Sequence, residues 1–210
     1  MKATMRLLAL SMVLGLCACS SIAPDKPVRA TQYDFGPGTV PAAPAAAAQP
    51  GIVLPDIEAS ASLEGMALLY RLAYADAHQL HSYAHARWSA PPTQLVRQRL
   101  RELLGRDRPV LDPPESAALA RTGAAMPWTL RIDLDEFSHV FDSPTQSWGV
   151  VRLRATLTEN TPAGERLVGQ RVFAQRLSAP SADAPGGVRA ITAATDAVAG
   201  DIAAWLLQLR

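Results

Sequence analysis

The chain has 210 residues, 20 basic against 19 acidic side chains and two cysteines. With a net charge of +1 and no basic arm, nucleic-acid binding is excluded as a function class. Both cysteines, Cys17 and Cys19, lie near the start, so the body can carry neither a disulfide framework nor a thiolate metal site or cysteine nucleophile.

Lys2 and Arg6 precede an uncharged apolar stretch, 7–18, which is too short to span a bilayer and makes residues 1–18 a signal peptide. The stretch ends in Leu16-Cys17-Ala18-Cys19, the leucine, small residue and cysteine order of a bacterial lipobox. Cys19 is therefore the expected lipid carrier, a palmitate-type anchor, while Cys17 competes poorly because Leu16 before it suits a small-residue peptidase pocket badly. The bland alternative is a secreted protein whose leader happens to hold two cysteines. Without Lys2 and Arg6 the chain keeps 18 basic against 19 acidic residues. Ser20, rather than Asp, follows the anchor and favours the outer membrane, with the domain facing the periplasm.

Residues 19–50 read as a lipidated tether. The segment 20–29 is polar and holds prolines, the island Gln32-Tyr33-Asp34-Phe35 is a candidate edge strand ended by Gly36-Pro37-Gly38, and 40–50 is an Ala/Pro low-complexity run. Residues 51–210 have the composition of a single globular domain. In it, 52–59 reads as a strand whose Pro55 favours an edge or a bulge, 66–73 as a second strand, and 80–88 as the strand completing a meander.

Next comes a helical pattern in Leu95, Val96, Leu100, Leu103 and Leu104, with Thr93 as the expected N-cap and Gly105 as the stop. Asp112-Pro113-Pro114 signals a turn before a short helical piece at 115–121. Trp128, Leu130, Ile132 and Leu134 alternate with polar residues, and so do Val151, Leu153, Ala155 and Leu157. A turn at 160–164 leads to a third strand, 166–178, so these three form an antiparallel meander. Val188, Ile191, Val198, Ile202, Trp205, Leu206 and Leu209 then mark a long amphipathic helix. The expected fold is an α/β or α+β sandwich, a largely antiparallel or mixed sheet with two principal helices packed on it.

Candidate chemistry is sparse. His78, His81 and His85 have spacings that suit a helix-borne metal site, but their window threads better as strand and turn, and only Asp76 is near as a carboxylate. Asp133, Asp135 and Glu136 could form an acid/base cluster, yet alternation sends Asp133 and Asp135 to a solvated face. No nucleophile elbow, phosphate loop, dinucleotide glycine pattern or zinc-protease helix occurs. The sequence thus gives no catalytic residue, no metal site and no cofactor, and reads as a non-enzyme. The string Arg87-Trp88-Ser89-Ala90-Pro91-Pro92 stands out: structurally it is a strand end turning into a helix, and functionally Trp88 and Arg87 are candidate partner-binding residues.

Taken in order, Tyr33-Asp34-Phe35 after a lipobox, Leu69-Tyr70-Arg71, Tyr83, the Arg87 string and Leu130-Arg131-Ile132-Asp133-Leu134-Asp135-Glu136-Phe137 resemble the auxiliary lipoproteins of ABC-type transporters. The closing helix is similar as well. The family includes the paraquat-inducible lipoprotein component and is associated with mammalian-cell-entry-domain lipid transporters. The resemblance implies a periplasmic subunit with no catalytic residue to transfer. It further implies docking on the entry-domain substrate-binding protein, with self-association into a homo-oligomer left open. A structural lipoprotein of outer-membrane assembly or envelope integrity is the alternative reading.

Overall fold

The computed structural model describes residues 29–38, 49–121, 126–161 and 163–209. The signal segment, Cys17, Cys19 and most of the expected tether lie outside the described residues.

The architecture is organised by one long strand, β7 (Trp128–Ser143). On one side it pairs antiparallel along its length with β8 (Gln146–Thr161), which pairs antiparallel with β9 (Gly164–Ser178), the meander expected from the alternation. On the other side three short strands follow one another in parallel along β7. These are β2 (Ile52–Val53) opposite Trp128, β3 (Glu58–Ala59) opposite Asp133 and β4 (Ala67–Leu72) opposite His139. Beyond β4 lies antiparallel β5 (His81–Trp88), and beyond β5 lies parallel β1 (Thr31–Tyr33) at the sheet edge. Beyond β2 lies parallel β6 (Val110–Leu111). The sheet is mixed, with nine strands among the described residues.

The expected 52–59 strand is thus a correction: it is two pieces separated by Leu54-Pro55-Asp56-Ile57, β2 lying between β6 and β7 while β3 pairs with β7 alone among the described residues. Pro55 cannot donate to a ladder, and it falls in the gap. The freed carbonyls of Leu54 and Pro55 accept from the Arg97 guanidinium at 3.0 and 3.1 Å.

Helix α1 (Ala73–Asp76) is one turn after β4. Helix α2 (Pro92–Leu104) starts one residue before the expected cap, with Pro91 preceding it and no side-chain cap bond. Pro92 stands at the first helical position, where a fixed φ suits the helix and a missing N–H costs nothing, so Thr93 falls inside the first turn. Gly105 ends it as expected, its N–H bonding Arg101 O at 2.9 Å. Helix α3 (Pro113–Arg121) begins where the Asp112 N–H donates to Glu115 Oε2 at 2.7 Å. Helix α4 (Ala184–Gln208) is capped by Asp183, whose Oδ1 accepts from the Gly186 N–H at 2.8 Å.

The two principal helices, α2 and α4, share one core with the sheet. Leu130, Ile132, Leu134, Val151, Leu153, Ala155, Leu157 and Phe173 meet Ile191, Ala194, Val198 and Ile202 of α4, with Val96, Leu100 and Leu104 of α2 in the same cluster. Each large side chain contributes roughly 1.5–3 kcal/mol by leaving water. Helix α4 is long and apolar enough to cross a membrane by composition, yet half of that stretch is buried in the domain. Close approach demands a small residue at Gly149 of β8, where a Cβ would come within 2.3 Å of the Ala190 and Ile191 backbone. The alternation of β7 resets at a bulge between Leu134 and Glu136, which carries Phe137, His139 and Phe141 to the core side.

Candidate functional site

The Arg87-Trp88-Ser89 string closes β5, and the structure corrects its expected role. Trp88 is fully buried, so it is not a surface anchor for a partner. Its ring lies 5.3 Å from Phe137 and meets Phe35 edge-on at 5.8 Å, with Phe35 a further 6.2 Å from Phe137. The β1–β5–β4–β7 order brings these sequence-distant rings together, and the core cluster around them buries the large apolar area of the tryptophan. Arg87 points the other way and is exposed.

Trp88 and its neighbours therefore fasten the incoming chain. The Ser89 N–H donates to Tyr33 O at 2.7 Å, and the Trp88 N–H donates to Met66 O at 2.8 Å. After β1, Asp34 Oδ1 accepts from the Gly36 N–H at 2.8 Å, and Gly36 takes a φ of 73°, a left-handed conformation open to glycine. The chain then passes against Glu102 of α2, so closely that a Cβ on Gly38 would lie 2.6 Å from Glu102 Oε2. Residues 31–38 are thus part of the domain, where the sequence suggested only a short edge strand in a tether.

Between this fastened segment and α4 runs an open groove of about 580 Å³, walled by Gln32–Gly36 and Ser89 on one side and by Val188, Arg189, Thr192, Ala193 and Asp196 on the other. A smaller hollow of about 160 Å³ continues it towards Gln98, Arg99 and Glu102 of α2. Arg99 grips Asp196 through two bonds, Nε to Oδ1 at 2.5 Å and Nη2 to Oδ2 at 2.8 Å, tying α2 to α4 under the groove. The hydrogen bond to Asp196 holds the guanidinium firmly charged. A second charged cluster fixes the opposite side of α2: Arg97 and Arg101 both bond Asp112, and the Arg97 bond holds its carboxyl below the usual carboxylate range.

The feature most hidden in the sequence is His139. It is fully buried, its Nδ1 lies 2.9 Å from the Tyr83 hydroxyl, and its Nε2 is buried without a hydrogen-bond partner among the described residues. Gly187, in the first turn of α4, sits so close that a Cβ there would fall 2.4 Å from His139 Nδ1. Burial pushes the imidazole down to about 4, against a weaker opposing pull from Asp183, and burial pushes the Tyr83 phenol up. No single-residue pattern marks this position, because the bulge before Glu136 decides which face His139 joins.

The other sequence candidates are dispersed. His78 follows α1, its N–H bonding Asp76 Oδ1 at 2.8 Å; His81 stacks on Tyr70 at 5.2 Å; His85 is exposed. Among the described residues no group of three or more His, Cys, Asp or Glu side chains is placed to hold a metal ion. Asp135 faces Arg152 and Arg154 at 3.8 and 3.9 Å on the sheet face away from the core.

Two crystal structures share the fold. A Xanthomonas campestris protein superposes with a TM-score of 0.66 at 18% identity, over 85% of this chain and 96% of its own. An uncharacterised protein superposes with a TM-score of 0.61 at 14% identity, over 85% and 99%. No curated protein matches the chain significantly. The family model described as "ABC-type transport auxiliary lipoprotein component" matches residues 33–203, from the fastened Tyr33 nearly to the end of α4. The chain belongs to this family of lipoprotein components of ABC-type transport systems.

Proposed function

We propose that the protein is a non-enzymatic subunit of an ABC-type system that moves lipids or solvents between the two envelope membranes. In this reading residues 1–18 are removed, Cys19 carries the lipid, the anchor sits in the outer membrane, and the domain docks in the periplasm on the entry-domain substrate-binding protein. The observation that carries the reading is the family match over 33–203. The fastening of β1 supports it further, because only eleven residues, 20–30, separate Cys19 from β1. Even fully extended, that length reaches about 40 Å, so the domain works next to its membrane.

The test is purification of the tagged full chain from its native membranes in mild detergent. The expected result is co-purification of an entry-domain subunit and release of a Cys19→Ala protein into the soluble fraction. An eluate without that subunit, together with unchanged detergent sensitivity in a deletion strain, would sink the reading.

A further inference from the structure

The route by which the chain enters the fold distinguishes the two ends of the sheet. β1 runs parallel to β5, with Thr31 opposite Ala86, so the chain reaches β1 from the side of His81, where β5 begins. Because β5 is antiparallel to β4 and β4 is parallel to β7, that side coincides with the end of β4, with α1 and with the end of β7. Three connections close this near end: 73–80 with α1, the β7–β8 turn at 143–147, and 178–184 before α4, where the Ala179 N–H donates to Ser147 O at 2.9 Å. The far end holds the β8–β9 turn at Gly164 and the connection 105–109 into β6.

The two ends differ in chemistry. The near-end connections contain no Lys, Arg or Glu, and their carboxylates are engaged locally, Asp76 by the His78 N–H and Asp183 by the Gly186 N–H, each at 2.8 Å. Tyr74 stands out of α1 at 49% exposure, beside the exposed Ala75 and Ala77. The charges just behind them pair with one another, Arg71 with Glu136 and Arg176 with Asp142. The far end instead carries Arg106, Asp107, Glu159, Glu165 and Arg166. A tyrosine on a surface poor in charge suits the head-group layer of a bilayer, where its ring meets apolar matter and its hydroxyl stays wet. Distance favours the same end. Thr31 lies level with Phe137 of β7, about 20 Å from the near end and about 35 Å from the far one at roughly 3.3 Å per residue. The segment 20–30 spans about 40 Å when fully extended, so it clears the near end with slack. To present the far end it would have to reverse and run almost straight, against its conformational entropy.

We infer that the end formed by α1, the β7–β8 turn and the β9–α4 connection rests on the lipid surface that holds the chain's own anchor, with Tyr74 in the head-group layer. The inference rests on Cys19 being that anchor and adds which way the domain faces.

The test uses the lipidated protein, purified in detergent and added to preformed vesicles of phosphatidylethanolamine and phosphatidylcholine that carry a head-group-labelled energy acceptor. With Cys19 acylated and Cys17 removed in processing, an introduced cysteine is the single free thiol, and the donor dye is placed by Thr145→Cys or by Ala163→Cys. Both positions are exposed turn residues of the same meander, about 55 Å apart along the sheet, so transfer from Thr145→Cys is expected to be larger by about fivefold or more. Tyr74→Ala, at an exposed position outside the core, is expected to lose about half of that difference. Vesicle flotation separates the two ways of failing. A protein that does not float overturns the anchored reading and this orientation with it. One that floats with equal transfer from both turns, with more from Ala163→Cys, or with a difference untouched by Tyr74→Ala overturns the present inference alone.

Discussion

Acid should weaken this domain through His139 before it touches the carboxylates. The folded imidazole is pushed down from 6.5 to about 4 by burial. Above about pH 6.5 the side chain is neutral in both folded and unfolded chains, so its contribution is fully present. Between about 6.5 and 4 the unfolded chain binds the proton first, and stability falls with pH; below about 4 no further loss comes from this group. A shift of about 2.5 pH units at 1.36 kcal/mol each corresponds to about 3 kcal/mol. The carboxyls held low, Asp112 and Asp183, contribute stability that is lost only as the pH falls below their unfolded value of 3.8, so the two windows separate. The assay is urea denaturation of the Cys19→Ala protein from pH 7.5 to 4.2, beside the same protein with His139→Leu. The leucine variant should be less stable at pH 7.5 by about 1–3 kcal/mol, because the Tyr83 hydroxyl loses its partner. Its curve should nonetheless stay flat through pH 5, where the histidine protein declines. Parallel curves for the two proteins would refute the assignment of the slope to His139.

Other substitutions probe the packing. Gly149→Ala drives a methyl into the α4 backbone at 2.3 Å and should cost about 3 kcal/mol or more, read as a lowered thermal midpoint. Trp88→Ala should cost about 3–5 kcal/mol and also speed hydrogen exchange at the Ser89 amide that Tyr33 O accepts from, whereas Trp88→Phe should preserve most of that protection. Arg97→Lys should destabilise by about 1–3 kcal/mol despite keeping the charge, since one ammonium cannot serve Leu54 O, Pro55 O and Asp112 together; a neutral outcome in denaturant titration would discount that clamp.

What could be read from the sequence followed from local periodicity. Leu130, Ile132 and Leu134 repeat every second residue and face a core; Ile191, Val198, Ile202 and Trp205 repeat at helical steps and pack on it, so the meander and the two principal helices were legible. Non-local pairing was not. Nothing in Ile52, Glu58 or Tyr70 announces that three fragments line up in parallel on one side of β7, or that Thr31 pairs with Ala86. The site suffered most from this. Trp88 has the composition of an interface anchor, and only Phe35 and Phe137 arriving from elsewhere make it a core residue. His139 was hidden by one inserted residue at the β7 bulge, which no propensity reveals.

The position of β1 also determines where the domain is weakest against traction. A pull on the N-terminal side enters the fold through a strand of three residues at the sheet margin, Thr31, Gln32 and Tyr33, and through the single ring of Phe35 behind it. These few bonds bear the stress before any of the sixteen-residue ladder of β7 is loaded. Under tension β1 would therefore yield first, as a fuse that leaves the main sheet intact.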